Sequence, residues 1–203
     1  MQKAIFKTGT LVYLFTFSAF MIAHSVTLAS QSQPSKMNLE RIQGIDLYTQ
    51  QEITVSPSGE KNKGLVVLFL SARCPCSNSH VVELKKLSTE FTDFQFVAVH
   101  SNRDEPRDMV EKYFSTQELK FPILQDQKNK LADLYKAYKT PHSYVVLADG
   151  SVVYQGGVSS SHDFKSAEKN YLRSALEDIK NNIKVKTPEG RTLGCVISRE
   201  DTE

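Results

Sequence analysis

The strongest hydrophobic signal in the chain is the unbroken run Leu65-Val-Val-Leu-Phe-Leu70. A short apolar run rich in β-branched and large residues predicts a strand covered on both faces, hence one near the centre of a sheet. Beyond Cys74 and Pro75 the pattern changes to helical spacing, with Val81, Leu84, Leu87 and Phe91 on one stripe, and a second strand follows over Phe94 to Val99. Met109, Val110, Tyr113 and Phe114 mark a second helix, and Phe121-Pro-Ile-Leu124 a short strand that Pro122 places at a sheet edge or at the strand's beginning. Leu131, Leu134, Tyr135 and Tyr138 mark a third short helix. Tyr144 to Leu147 and Val152 to Tyr154 flank Asp149-Gly150, a hairpin signal. A final amphipathic stripe runs through Phe164, Ala167, Tyr171, Leu172, Ala175, Leu176, Ile179 and Ile183 and predicts a long helix over one sheet face.

The order β-α-β-α-β-α-β-β-α, with crossover units first and a hairpin last, predicts an α/β sandwich around a central mixed β-sheet. No internal repeat, low-complexity tract or heptad interrupts it. After Asn182, Pro188 and Gly190 argue against helix, so residues 184–203 read as an extended tail carrying Cys195.

The N-terminus departs from this pattern. Lys3 and Lys7 precede an apolar stretch from Leu11 to Ala23, followed by small residues at Thr27, Ala29 and Ser30. That is the layout of a secretory signal peptide over residues 1–29, cleaved after Ala29, with residues 30–42 as a tether. The apolar stretch is shorter than the roughly 20 residues a membrane span needs, so an uncleaved anchor is the alternative. Export would deliver the protein to the periplasm or the exterior, where thiol-disulfide chemistry is common. Apart from Lys3 and Lys7, which account for the formal net charge of +2, 23 basic residues balance 23 acidic ones, leaving no electrostatic footprint for nucleic acid. A membrane would be met only through the signal segment, and the acidic residues read as solvated helix faces.

Three cysteines, Cys74, Cys76 and Cys195, are too few for a disulfide-stapled scaffold and point to chemistry instead. Cys74 lies between a buried strand and a helix opened by Pro75, where unpaired amides, the positive end of the helix dipole and neighbouring Arg73 would favour a thiolate.

Phe69-Leu-Ser-Ala-Arg-Cys-Pro75, Val97-Ala-Val-His-Ser-Asn102, Thr140-Pro141 and Gly194-Cys-Val-Ile197 together resemble the thioredoxin-like superfamily. Within it they resemble the redoxin group related to alkyl hydroperoxide reductase and thiol-specific antioxidant proteins. The resemblance covers roughly residues 43–198, with residues 43–183 as the redoxin domain. It implies a thioredoxin-like fold and a thiol-disulfide oxidoreductase with Cys74 as nucleophile and protein or small-molecule thiols and disulfides as partners, without a cofactor. It also implies a cis-proline loop at Thr140-Pro141 facing the reactive sulfur, with His142 next to it. The closing Gly-Cys-x-Ile resembles that of an extracytoplasmic branch.

The departures leave several readings open. Ser77 stands where a C-x-x-C motif has its second cysteine, so the resolving thiol is Cys76, at the cost of a very small ring, or Cys195. Ser71 matches the hydroxyl three residues before a peroxiredoxin's reactive cysteine, but Val67 replaces the proline seven before it, and Thr140 to Leu147 contain no arginine. A thiol-dependent peroxidase is therefore an alternative, using a sulfenic acid at Cys74. Another is a Cu(I)-binding metallochaperone, since Cys76 and His80 share a helix face and with Cys74 and His142 form a soft-ligand set. A non-catalytic binding module is the last.

Overall fold

A computed structural model describes residues 41–58 and 63–199. The signal segment, its cleavage site and all of the tether but residues 41 and 42 lie outside the described residues. All described residues belong to one unit. Its elements are β1 (Ile42–Asp46), β2 (Glu52–Val55), β3 (Gly64–Leu70), α1 (Pro75–Glu90), β4 (Phe94–His100), α2 (Arg107–Gln117), β5 (Ile123–Gln125), α3 (Lys130–Leu134), β6 (Lys139–Thr140), β7 (His142–Val146), β8 (Val152–Gly156), α4 (Tyr171–Lys180) and β9 (Cys195–Val196).

Seven strands form a mixed sheet in the order β2-β1-β5-β4-β3-β7-β8, and β6 and β9 form a separate two-stranded ribbon. Strands β3, β4 and β5 are parallel, whereas β7 runs antiparallel to β3, with Phe69 opposite His142. Every residue of β3 is buried, as its unbroken apolar run requires. Its side chains alternate between two cores. Val66, Leu68 and Leu70 pack with Leu84 and Leu87 of α1, Val110 and Phe114 of α2, and Leu172 and Leu176 of α4. Leu65, Val67 and Phe69 pack on the other face with Leu131 and Ala132 of α3, Tyr135, Tyr144 and Ile197. Each such fully buried Leu or Phe contributes roughly 1.5–3 kcal/mol, so the sheet is clamped from both sides.

The structure corrects the sequence reading in several places. Two N-terminal strands precede β3, so β5 lies between β1 and β4 and is not an edge; of the two places open to Pro122, it takes the one at the strand's beginning, just before Ile123. β1 begins at Ile42, inside the expected tether. The last helix is half its expected length: Phe164–Ser166 is a single 3₁₀ turn, and Ala167 is extended. The Ser160 hydroxyl accepts from the Glu168 and Lys169 amides, which holds this segment in a loop, and Phe164 packs edge-on against the His80 ring. α3 ends at Leu134 because Lys136 has φ 54°, leaving Tyr138 outside the helix and half exposed.

Candidate active site

The site forms where β3 gives way to α1. Ser71, just past the strand, folds its hydroxyl back to accept from the amides of Arg73 (3.2 Å) and Cys74 (2.9 Å). Cys74 is extended (φ −74°, ψ 115°) and Pro75 opens the helix without needing a hydrogen-bond donor. This tight turn points the Cys74 sulfur along the N-terminal end of α1.

Ser71 is held in turn by Glu105. Its hydroxyl donates to Glu105 Oε1, the Ala72 amide donates to Oε2 (2.8 Å), and His100 Nε2 lies 3.0 Å from Oε2. Burial alone would raise the Glu105 carboxyl, but the hydrogen bonds from His100, Ser71 and Ala72 hold it below the usual carboxylate range. The expectation that the acidic residues are solvated helix faces fails here, and again at Glu83, buried against Arg173 at 2.8 Å, and at Asp126, which caps α3 by accepting from the Leu131 and Ala132 amides. Nothing local in the sequence separates Glu105 from a solvated acid; two of its partners, Ser71 and Ala72, come from 34 and 33 residues away.

Opposite Cys74 lies the Thr140-Pro141 peptide, which is cis. The Cys74 thiol donates to the Thr140 carbonyl at 3.1 Å. β9 pairs antiparallel with β6, placing Cys195 opposite Thr140 and Val196 opposite Lys139. The tail is secured by burial of Ile197, by its amide donating to the Tyr138 carbonyl (3.0 Å), and by Arg199, whose Nη2 donates to the Ala137 carbonyl (2.7 Å). Val196 is exposed and takes no part in this anchoring. The sulfurs of Cys74, Cys76 and Cys195 all lie within 4.8 Å of one another.

The electrostatics differentiate these three thiols. Burial pushes Cys74 up, but hydrogen bonds from the Cys195 thiol, the Ser77 amide and the Cys195 amide more than offset it, so its pKa is lowered. Burial and the adjacent Cys74 charge raise Cys76, and burial, the hydrogen bond to Cys74 and the Cys74 charge push Cys195 up to about 12. Tyr113 is pushed to about 12 by burial and by the charges of Cys74 and Glu105. Arg73 does not join the sulfurs: its Nη1 donates to the Asp104 carbonyl at 3.1 Å.

The histidines of the soft-ligand set are turned elsewhere. His80 Nδ1 donates to the Cys76 carbonyl (2.7 Å) and Nε2 accepts from Ser159 (2.8 Å). His142 is buried against Tyr144, whose hydroxyl lies within hydrogen-bonding distance of its Nδ1 at 3.3 Å, and burial lowers its pKa to about 4. Neither belongs to the cluster of potential metal donors found among the described residues, which consists of the three sulfurs. A histidine the sequence did not single out, His162, instead places Nδ1 3.4 Å from the Cys76 sulfur.

Solved structures share this architecture. A hypothetical protein from Sinorhizobium meliloti matches with TM-score 0.73 at 21% identity, over 84% of this chain and 97% of its own. An uncharacterized conserved protein from Geobacillus kaustophilus matches with TM-score 0.71 at 21% identity, over 82% and 92%. The thioredoxin domain of a thiol-disulfide oxidoreductase from Bacteroides vulgatus matches with TM-score 0.50 at 22% identity, over 61% and 89%. These likenesses establish a thioredoxin-like fold. None of the curated proteins matches the chain. The Redoxin family model matches residues 30–171, a span that includes the strand-to-helix cysteine turn and the cis-proline loop, and the chain therefore belongs to the Redoxin family.

Proposed function

We propose that this protein is an extracytoplasmic thiol-disulfide oxidoreductase in which Cys74 is the attacking thiolate and Cys195 the resolving thiol. One observation carries the reading: a cysteine at the N-terminus of α1, facing a cis-proline loop, has the tail cysteine delivered beside it by the β6-β9 ribbon.

The Cys74 thiolate attacks one sulfur of a substrate disulfide. A Cys74-substrate bond forms, the substrate S–S bond breaks, and the second substrate sulfur leaves as a thiolate. Cys195 then attacks the Cys74 sulfur, its proton passing to the departing thiolate, and the first substrate sulfur is released as the Cys74-Cys195 disulfide closes. The substrate gains two electrons and the protein loses two; an external dithiol returns it to the reduced state. The electrostatics of the three thiols support this order. While Cys74 is anionic it holds the Cys195 proton in place, and once Cys74 is bonded to substrate that charge is gone and Cys195 is freed to react. Cys76 fits the resolving role less well, because a Cys74-Cys76 disulfide would close a very small, strained ring.

Lys3, Lys7 and the short apolar stretch behind them support export with a mature start near Ser30. Intact mass of native material tests that, and a chain retaining residues 1–29 in the membrane fraction would overturn it.

The chemistry is tested with Cys195→Ser and Cys76→Ser on a small aromatic disulfide. Cys195→Ser should keep the first attack and accumulate the mixed disulfide at Cys74, with peptide mass mapping of oxidised wild type showing Cys74 joined to Cys195. Unimpaired turnover in Cys195→Ser together with loss in Cys76→Ser would overturn the assignment.

A further inference from the structure

We propose that the reduced cysteine triad is also a three-sulfur binding site for a soft monovalent metal ion of the Cu(I) class. The proposal uses the sulfurs of the redox reading but does not depend on turnover.

Three thiolates at mutual distances under 4.8 Å are unusual in a chain with only three cysteines, since nothing in the sequence brings residue 195 to residues 74 and 76. Sulfur binds a metal such as zinc at about 2.3 Å, and three sulfurs at that distance in a plane around one ion stand about 4.0 Å apart. Closing this triad onto an ion therefore asks each pair of sulfurs to approach by about 0.8 Å at most, relative to the observed 4.8 Å limit. The two outer ligands are free to supply it. Cys76 sits in the first turn of α1 and Cys195 in a two-residue strand, and both are half-buried, which also leaves a route for the ion. Cys74, fully buried, is the fixed member.

The donor set chooses the ion. Three thiolates are soft ligands and select soft cations. Zinc takes four ligands in structural sites, and among the described residues the imidazole beside the triad, His162, reaches Cys76 without falling within 4.8 Å of all three sulfurs. His80 is committed to the Cys76 carbonyl and Ser159. The set thus stops at three, a number that suits a d¹⁰ monovalent ion. Binding would replace the thiol protons and leave an anionic cluster at the positive end of α1, where the helix dipole is favourable. It would also exclude the disulfide, so metal and oxidation compete for the same sulfurs.

The test is an anaerobic titration of the reduced mature chain with Cu(I) held by the chromophoric chelator bathocuproine disulfonate. Wild type should withdraw one ion per chain, and X-ray absorption should show three sulfur neighbours and no nitrogen. Cys76→Ser and Cys195→Ser should each weaken binding by about 100-fold or more, as loss of one of three soft ligands implies, while His80→Ala and His162→Ala should leave it unchanged. Chain oxidised beforehand to Cys74-Cys195 should withdraw none. Failure of wild type to compete with the chelator, equal affinity in Cys195→Ser, or nitrogen in the coordination sphere would each overturn the proposal. Disulfide turnover, measured separately without metal, reports on the redox reading alone. Circular dichroism of each serine variant separates a lost ligand from a lost fold.

Discussion

Gly194→Ala tests the delivery of Cys195 without touching the turn that carries Cys74. Gly194 has φ 149°, a conformation side chains rarely adopt, and a Cβ there would lie 1.9 Å from the Thr140 carbonyl oxygen and 2.7 Å from its carbon. Ordinary carbon-oxygen contacts are about 3.3–3.6 Å. The oxygen belongs to the backbone next to the cis peptide and cannot rotate aside, so β9 must withdraw from β6 by roughly 1.4 Å or more to reach that contact distance. Cys195 follows Gly194 directly and moves with it. A displacement of about 1 Å between reacting groups can cost about 100-fold in rate. We therefore expect resolution of the Cys74 mixed disulfide, followed by stopped-flow release of the second thiol, to slow about 100-fold. The first attack, read by alkylation of Cys74, should change little, because Ser71, Pro75 and α1 are untouched. β9 contains two residues and Ile197 is buried beyond it, so most of the thermal transition should survive. Resolution at the wild-type rate in a folded Gly194→Ala protein would refute the argument that the ribbon positions Cys195.

Acid should destabilise the fold through His142. Its buried imidazole has a pKa of about 4 against 6.5 in the unfolded chain, so above pH 6.5 neither state binds the proton, and between 6.5 and 4 only the unfolded state does. Stability should fall by about 1.4 kcal/mol per pH unit across that window, approaching about 3 kcal/mol by pH 4. Urea midpoints at pH 7 and pH 4.5 should diverge less in His142→Gln than in wild type; equal divergence would show that the histidine is not the group responsible. Ser71→Ala should cost about 1–3 kcal/mol in urea, because it leaves buried Glu105 one donor short and removes the acceptor for the Arg73 and Cys74 amides. The same variant should slow Cys74 alkylation at neutral pH by loosening the turn that aims the sulfur, and an unchanged rate would deny Ser71 that positioning role.

The elements that were legible in advance share a property: their periodicity records burial. β3 was recognisable because it is covered on both faces, and α1 and the β7-β8 hairpin because a stripe and an Asp149-Gly150 turn mark them. β1 and β2 carried no comparable mark. Gln43, Gly44, Glu52 and Thr54 interrupt their apolar positions, and the strands gain their order by pairing with each other and with β5. The overlong final helix shows the converse, an apolar stripe that continues past the point where Ser160 captures the backbone amides.

The active site divides in the same way. A cysteine between a buried strand and a proline-opened helix is legible from the chain alone, because that junction is built from consecutive residues. Only the tertiary structure decided which groups surround that sulfur. Glu105 became a buried anchor for Ser71, His142 turned into the aromatic core, His162 took the place beside Cys76, and Cys195 crossed the chain to pair with Thr140. These outcomes depend on which distant surfaces the sheet and its two cores bring together. Burial of one residue such as Ile197 can fix the position of a tail that has no local pattern of its own, so the partners of a reactive group are set by packing at long range, where sequence spacing carries no information.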